Sequence, residues 1–181
     1  MAKTLNIFSK IRYLRERYYR VAVKKESLLK LLDEAEIAEQ VYNSNAIENS
    51  TLTLEETEKI LLQIDLDRYI CERELFEAKN LARVVSYINT KAKEQELNLE
   101  MILFLHKMLL SNIRNDVAGR FRNNDEWVRV ANHIALDPNQ VVERLEEMLV
   151  QYYSTPNENI IKRVALQHLT FEHIHPFVDG N

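Results

Sequence analysis

NIIKRVALQHLTFEHIHPFVDGN, residues 159–181, is the stretch on which the fold turns. Val164, Ala165, His168, Leu169 and Ile174 recur at the three- and four-residue spacing of one helix face. Pro176 ends the pattern, because its ring disfavours helical geometry at the residue before it. The reading is a helix from about Asn159 to Ile174, with His168 a core or near-core histidine on its stripe and His175 at its exit. Phe177 can plug a core, Asp179 follows the histidine by four residues, and Gly180 permits a backbone geometry that an L-residue resists. An imidazole, a metal-binding carboxylate and upturned backbone N–H groups then share one small radius, which is the equipment of phosphoryl chemistry. Any one of these residues alone reads as a capped helix followed by a turn.

The rest of the chain agrees with a helical setting. Average usage would put about 13 glycines and about 9 prolines in a chain this long, whereas these 181 residues hold 2 and 3. Almost nothing breaks helices, and the expected class is all-α: one compact helical bundle. Gly119 and Gly180 lie too far apart for either a phosphate-binding loop of the GxxxxGK[ST] type or a dinucleotide fingerprint. The single cysteine, Cys71, excludes an internal disulfide and a cysteine-rich zinc site, and it suits the reducing cytoplasm. No run approaches 18 apolar residues, and only six residues separate Lys3 from Lys10, too few for a signal-peptide core. A soluble cytoplasmic protein with no membrane association is expected.

Charge is unevenly spread. Residues 1–30 hold nine Lys/Arg against Glu16 and Glu26, so the remainder of a chain of net charge −4 is strongly acidic. An opening helix from about Ile7 to about Val41, with a break, is expected to turn Ile11, Leu14, Tyr18 and Val21 inward while its arginines face water or the acidic body. Nucleic-acid binding is not expected. Further along, Thr53 with Glu56 forms a capping box ahead of Leu54, Ile60, Leu61 and Ile64. Helical spacing resumes from about Ile70 to Lys93, from Leu99 to Ile113, and from about Asn139 through Tyr152, ending at Ser154-Thr155-Pro156-Asn157. Residues 127–131 instead alternate large apolar with polar side chains after the turn-rich Asn123-Asn124-Asp125, and read as a short strand or hairpin. His106 and His133 read as ordinary structural histidines. Trp127 is either a plug or part of a binding edge. His173 and His175 form a weak metal signature, since positions i and i+2 do not share a helix face.

His175-Pro176-Phe177-Val178-Asp179-Gly180-Asn181 resembles the motif of the Fic family, H-x-F-x-[DE]-G-N. Leu105-His106, Ala118-Gly119-Arg120-Phe121-Arg122, the strand-like 127–131 and Ala165-x-x-His168 occur in the order that family shows, so the resemblance spans about residues 40–181. Asn43-Ser44-Asn45-Ala46-Ile47-Glu48-Asn49 is similar to the family's N-terminal inhibitory motif, [ST]-x-x-x-E-[GN]. The resemblance implies a Fic-type bundle with one short β-hairpin. Its expected division is a helical extension over residues 1–42 and a core over 43–181, with an inhibitory segment at 44–49 and a flap at about 119–131.

The same resemblance implies a protein adenylyltransferase that moves AMP from ATP to a Ser, Thr or Tyr hydroxyl of a target protein. His175 would be the general base, Asp179 the holder of Mg²⁺, and Gly180 and Asn181 the shapers of the nucleotide's anion hole. Ser44, Glu48 and Asn49 would be inhibitory, and Trp127, Val128, Arg129 and Val130 a target-docking edge. The sequence ends at Asn181, ahead of the glycine and arginine that continue the family motif. The expectation is therefore a core incomplete at its C-terminus, inactive or unable to bind ATP productively as this exact polypeptide, with a non-catalytic regulatory or binding fragment as the alternative. Homo-oligomerisation stays open.

Overall fold

The computed structural model describes residues 6–130, 132–154 and 159–181. Its elements run α1 Ile7–Ala22, α2 Glu26–Ile47, α3 Leu54–Leu61, α4 Glu72–Lys91, α5 Leu99–Leu110, β1 Arg129–Val130, β2 His133–Ile134, a single 3₁₀ turn Pro138–Gln140, α6 Val141–Ser154 and α7 Ile160–Ile174. The all-α reading holds, with one two-stranded antiparallel hairpin in which Arg129 faces Ile134 and Val130 faces His133.

Local chemistry sets the boundaries. Thr53 and Glu56 complete both halves of the capping box at α3. Asn98 caps α5, Asn159 caps α7, and the Cys71 thiol accepts from the Glu74 N–H at the start of α4. The opening helix is broken at Val23–Lys25, where Lys24 takes a left-handed conformation. Gln63 does the same after α3, which leaves Ile64 outside that helix.

Two apolar clusters hold the bundle. Val41, Leu52, Ile60 and Ala78 join α2, α3 and α4. Ile102, Val141, Leu145, Met148, Leu149, Ile174 and Phe177 join α5, α6, α7 and the loop after α7. Between the clusters, buried Asn80 of α4 donates to the carbonyls of Leu109 and Ser111, satisfying the exit of α5.

Three sequence expectations are corrected. Ile11, Leu14, Tyr18 and Val21 do not pack inward: α1 buries no residue, because the turn at Lys24 carries it off the body. The stripe of α7 is largely uncovered, with Val164, Ala165, His168 and Leu169 all exposed, since α6 is the helix that chiefly packs on α7 and it meets the far end at Phe171 and Ile174. The flap is shorter than 119–131. Arg120 forms a two-pronged ion pair with Glu126, whose carboxylate also accepts the Asn123 N–H, and this folds 120–126 into a loop so that pairing begins only at Arg129. Ala131 and the Thr155-Pro156-Asn157 helix stop lie outside the described residues.

Candidate active site

His175 closes α7 in a left-handed conformation, φ 49° and ψ 66°, its N–H donating to the Phe171 carbonyl at 2.8 Å. A non-glycine residue held there is locally strained, and such positions persist only when the surroundings over-determine them. Here the surroundings do. Arg122, 4% exposed, donates through Nε to the His175 carbonyl at 2.8 Å, and its own N–H reaches the Pro176 carbonyl at 3.0 Å. Its remaining nitrogens donate to the carbonyls of Glu126, Leu136 and Ile174. One cation thus ties the exit of α7 to both flanks of the hairpin.

The loop beyond is fixed from three sides. Phe177 is buried and stacks on His106 of α5 with ring centroids 3.6 Å apart and planes 7° from parallel. The His106 Nδ1 accepts the Gly119 N–H at 3.0 Å, which leaves the proton on Nε2 to donate to the Asp179 carbonyl at 2.9 Å. Burial pushes this imidazole below the ordinary histidine range, with the Asp179 carbonyl pulling the other way. Asn181 braces the loop across its mouth: its Oδ1 accepts the Phe177 N–H at 2.8 Å and its Nδ2 donates to the Phe177 carbonyl at 3.0 Å. Gly180 sits at φ 73°, where a Cβ would lie 3.0 Å from Leu110 Cδ2. Gly119, at φ 75°, would push a Cβ to 2.9 Å from the Lys107 side chain.

Given that frame, the His175 ring is half-buried and its Nδ1 is fully buried without a hydrogen-bond partner. Burial holds the imidazole below its ordinary range, helped by Arg122 and His133 and opposed by Glu172. A ring kept neutral at pH 7 can accept a proton, the first requirement of a general base.

The Asp179 carboxylate accepts both its short contacts from Arg73 of α4, each at 3.1 Å, and lies 4.0 Å from Arg114. Mg²⁺ is commonly held by one or two carboxylates together with a substrate's phosphates. As a carboxylate at the loop beside Arg73 and Arg114, Asp179 suits that shared role. The same two guanidiniums offer an anion a positive setting beside the loop.

Residues 44–49 are built differently. Ser44 lies in the last turn of α2, Glu48 caps its end, and Asn49 takes a left-handed conformation at φ 64°. All three are exposed, and the Glu48 carboxylate makes no hydrogen bond or ion pair among the described residues. The next residues are anchored: Ser50 Oγ, Thr51 N–H and Thr51 Oγ1 all donate to Glu74. Glu74 neighbours Arg73, so the first turn of α4 touches both this segment and Asp179.

On the hairpin, Trp127 is 57% exposed, which removes it as a plug, and Ile134 is 67% exposed. Val128 and Val130 are half-buried, Arg129 is exposed, and the Val128 carbonyl accepts the Ala135 N–H at 2.9 Å. The roles of Arg73, Arg114 and Arg122 were not legible in sequence. A lone arginine on a helix or loop carries no periodic signal, and only Arg122 lay within a quoted motif.

Comparison with known proteins agrees with this geometry. Residues 96–181 match the Fic/DOC family model. The chain is 32% identical over 150 residues to the protein adenylyltransferase Fic of Drosophila willistoni, an alignment covering 79% of this chain and 29% of that protein. The Drosophila melanogaster protein of the same name gives the same identity and coverage. The chain therefore spans under a third of these relatives' length. Among solved structures, a Fic family protein from Desulfovibrio desulfuricans G20 superposes with a TM-score of 0.78 at 24% identity, over 99% of this chain and 55% of that one. A Fic domain containing signaling protein from Bacteroides thetaiotaomicron gives 0.80 at 23%, over 95% and 67%. No helix among the described residues is long and apolar enough to cross a membrane. With its motif loop, its bundle and these relatives in agreement, the chain belongs to the Fic/DOC family, through residues 96–181.

Proposed function

We propose that this chain carries the reacting centre of a protein adenylyltransferase. A target Ser, Thr or Tyr hydroxyl attacks the α-phosphorus of ATP; the bond from that phosphorus to the bridging oxygen breaks, pyrophosphate leaves, and the hydroxyl proton passes to the ring of His175. The observation that carries the reading is the half-buried, neutral-leaning imidazole of His175 on a main chain that Arg122 clamps in place. Asp179 would hold Mg²⁺, which when bound neutralises phosphate charge; Arg73 would release the carboxylate as it does so. Gly180 and Asn181 shape the turn against which phosphates would rest. Glu48 would act as the inhibitory group, with Ser44 and Asn49 setting its helix end. The relatives named as protein adenylyltransferases support this class of transfer.

General-base catalysis contributes roughly 10²- to 10⁴-fold. His175→Ala should therefore lower target labelling by an ATP analogue within that range, in protein expressed with whatever its reading frame encodes after Asn181. Its melting temperature should stay nearly unchanged. An unaffected rate would remove His175 from the chemistry.

The hairpin is proposed as the edge on which an extended target peptide lies. A two-stranded sheet leaves main-chain groups on its outer sides for an added strand to pair with. Val128→Pro removes an N–H beside that edge without touching the loop. Target labelling should fall far more than nucleotide affinity in the same purified protein, and equal losses would make the hairpin a support of the bundle.

A further inference from the structure

The N-terminal pair of helices carries two apolar stripes that nothing covers. On α1, at about 100° per residue, Ile7, Ile11, Leu14, Tyr18 and Val21 fall on one face, and they are 38–61% exposed. Lys10 and Arg17 flank that face on one side and Arg15 on the other. On the first half of α2, Leu28, Leu31, Leu32 and Ala35 form a second face, opposite to the side that buries Val41. Leu28 and Leu32 are each 50% exposed and Leu31 is 63% exposed. Glu36 flanks this second face, and Glu39 stands in line with it one turn further on.

The two stripes share an apolar character and carry opposite charge. α1 holds five Lys/Arg against Glu16 alone, while residues 26–40 hold five acidic residues against Lys30 alone. They are not packed on each other within the chain, for both are open to solvent on either side of the left-handed turn at Lys24.

We infer that these stripes are one half each of a two-fold interface: α1 of one copy seats on the first half of α2 of a second copy, and the reverse pairing forms at the same time. A two-fold contact engages both stripes on both chains at once. A lipid surface is a poorer occupant. An anionic bilayer would accept α1 but repel the glutamates beside the adjoining stripe, leaving Leu28, Leu31 and Leu32 in water. A nucleic acid would meet the arginines and leave both stripes bare. The inference concerns α1 and α2 alone and stands apart from the proposed transfer chemistry.

Sedimentation equilibrium of the 181-residue chain should give a mass about twice its 21.4 kDa. Two surface variants test the reciprocity. R15E/R17E makes the α1 stripe acid-flanked, and E36R/E39R makes the α2 stripe base-flanked. Each alone should be monomeric or weaken dimerisation at least tenfold, with an unchanged melting curve, because the altered side chains are exposed. Mixed in equal amounts, the two should form a heterodimer, since acidic α1 then meets basic α2 and the native pair forms on the other side. A monomeric parent chain overturns the inference, as does a dimer indifferent to both variants or a mixture that stays monomeric. Parent chain that stays monomeric and floats with phosphatidylserine vesicles would instead assign α1 to a lipid surface.

Discussion

The loop at 175–181 and the segment at 44–49 were both recognised as motifs, yet they are held in opposite ways. In the loop, Phe177 is buried on His106, Arg122 grips the His175 and Pro176 carbonyls, and Asn181 bridges back to Phe177. In the segment, Ser44, Glu48 and Asn49 are exposed, and the first firm anchor is Ser50 on Glu74. Under the proposed function the rigid loop is the reacting one, and geometry for a chemical step tolerates little error. If Glu48 is the inhibitory group of that proposal, it must be able to let go, and a side chain the core does not hold can do so. A motif therefore states which residues matter without stating whether the fold or a partner positions them.

Substitutions at four positions bear on that contrast. Arg122→Ala should have the largest effect on stability. It strips the carbonyls of His175, Glu126, Leu136 and Ile174 of their guanidinium donor, while the main-chain N–H keeps its bond to Pro176, and hydrogen bonds to a charged group are worth about 1.5–3 kcal/mol each before compensation. A loss of about 3–4 kcal/mol in urea unfolding is expected, with Arg122→Lys recovering only part. A neutral result would mean that the loop holds itself.

His106→Ala follows, at about 2–4 kcal/mol, from the lost stack on Phe177, the cavity and the orphaned Gly119 N–H and Asp179 carbonyl. This ring also gives the fold a pH dependence. His106 and His175 titrate lower in the folded chain than the ordinary value near 6.5, so on acidification the unfolded chain takes up protons first. Stability is then full above about pH 6.5 and declines as pH falls below it. His106→Gln should flatten that decline, measured as the urea midpoint between pH 7.5 and 5.5.

Arg73→Ala should change stability by less than about 1 kcal/mol, because the guanidinium is half exposed and its pairs are screened. Under the proposed function it should strengthen Mg²⁺-dependent nucleotide binding by freeing Asp179, read by calorimetric titration with and without the cation. Weaker binding would make Arg73 a phosphate ligand instead. Glu48→Gly should have the smallest effect on the fold, with no measurable shift in melting midpoint. In the 181-residue chain it should leave nucleotide affinity nearly unchanged, whereas in a chain continued through a motif arginine it should raise transfer. That difference tests whether Glu48 acts by pairing with such an arginine.

What could be read in the sequence follows the range of the forces involved. Capping at Thr53 and Glu56, the stop before Pro176 and the core plug at Phe177 are local or periodic, and each stands where spacing put it. The inward stripes expected for α1 and α7 failed, because amphipathicity states that a face wants cover without saying what provides it. The flap's extent was misjudged because the Arg120–Glu126 pair, which sets where strand pairing begins, has no signature in an alternating pattern. Arg122 was visible as a letter in a motif, but its role depends on carbonyls 14 and 53 positions away along the chain.

The left-handed backbone at residue 175 has a consequence for inheritance. L-residues pay roughly 1–2 kcal/mol there, while asparagine and glycine visit that region readily. Histidine becomes asparagine through a single base change, so chemistry at this position can vanish in one step with the fold intact or slightly firmer. The backbone at 175 does not by itself call for an imidazole. Under the proposed function, copies that fold without the imidazole can arise in a single step, and an intact bundle is then no proof of transfer.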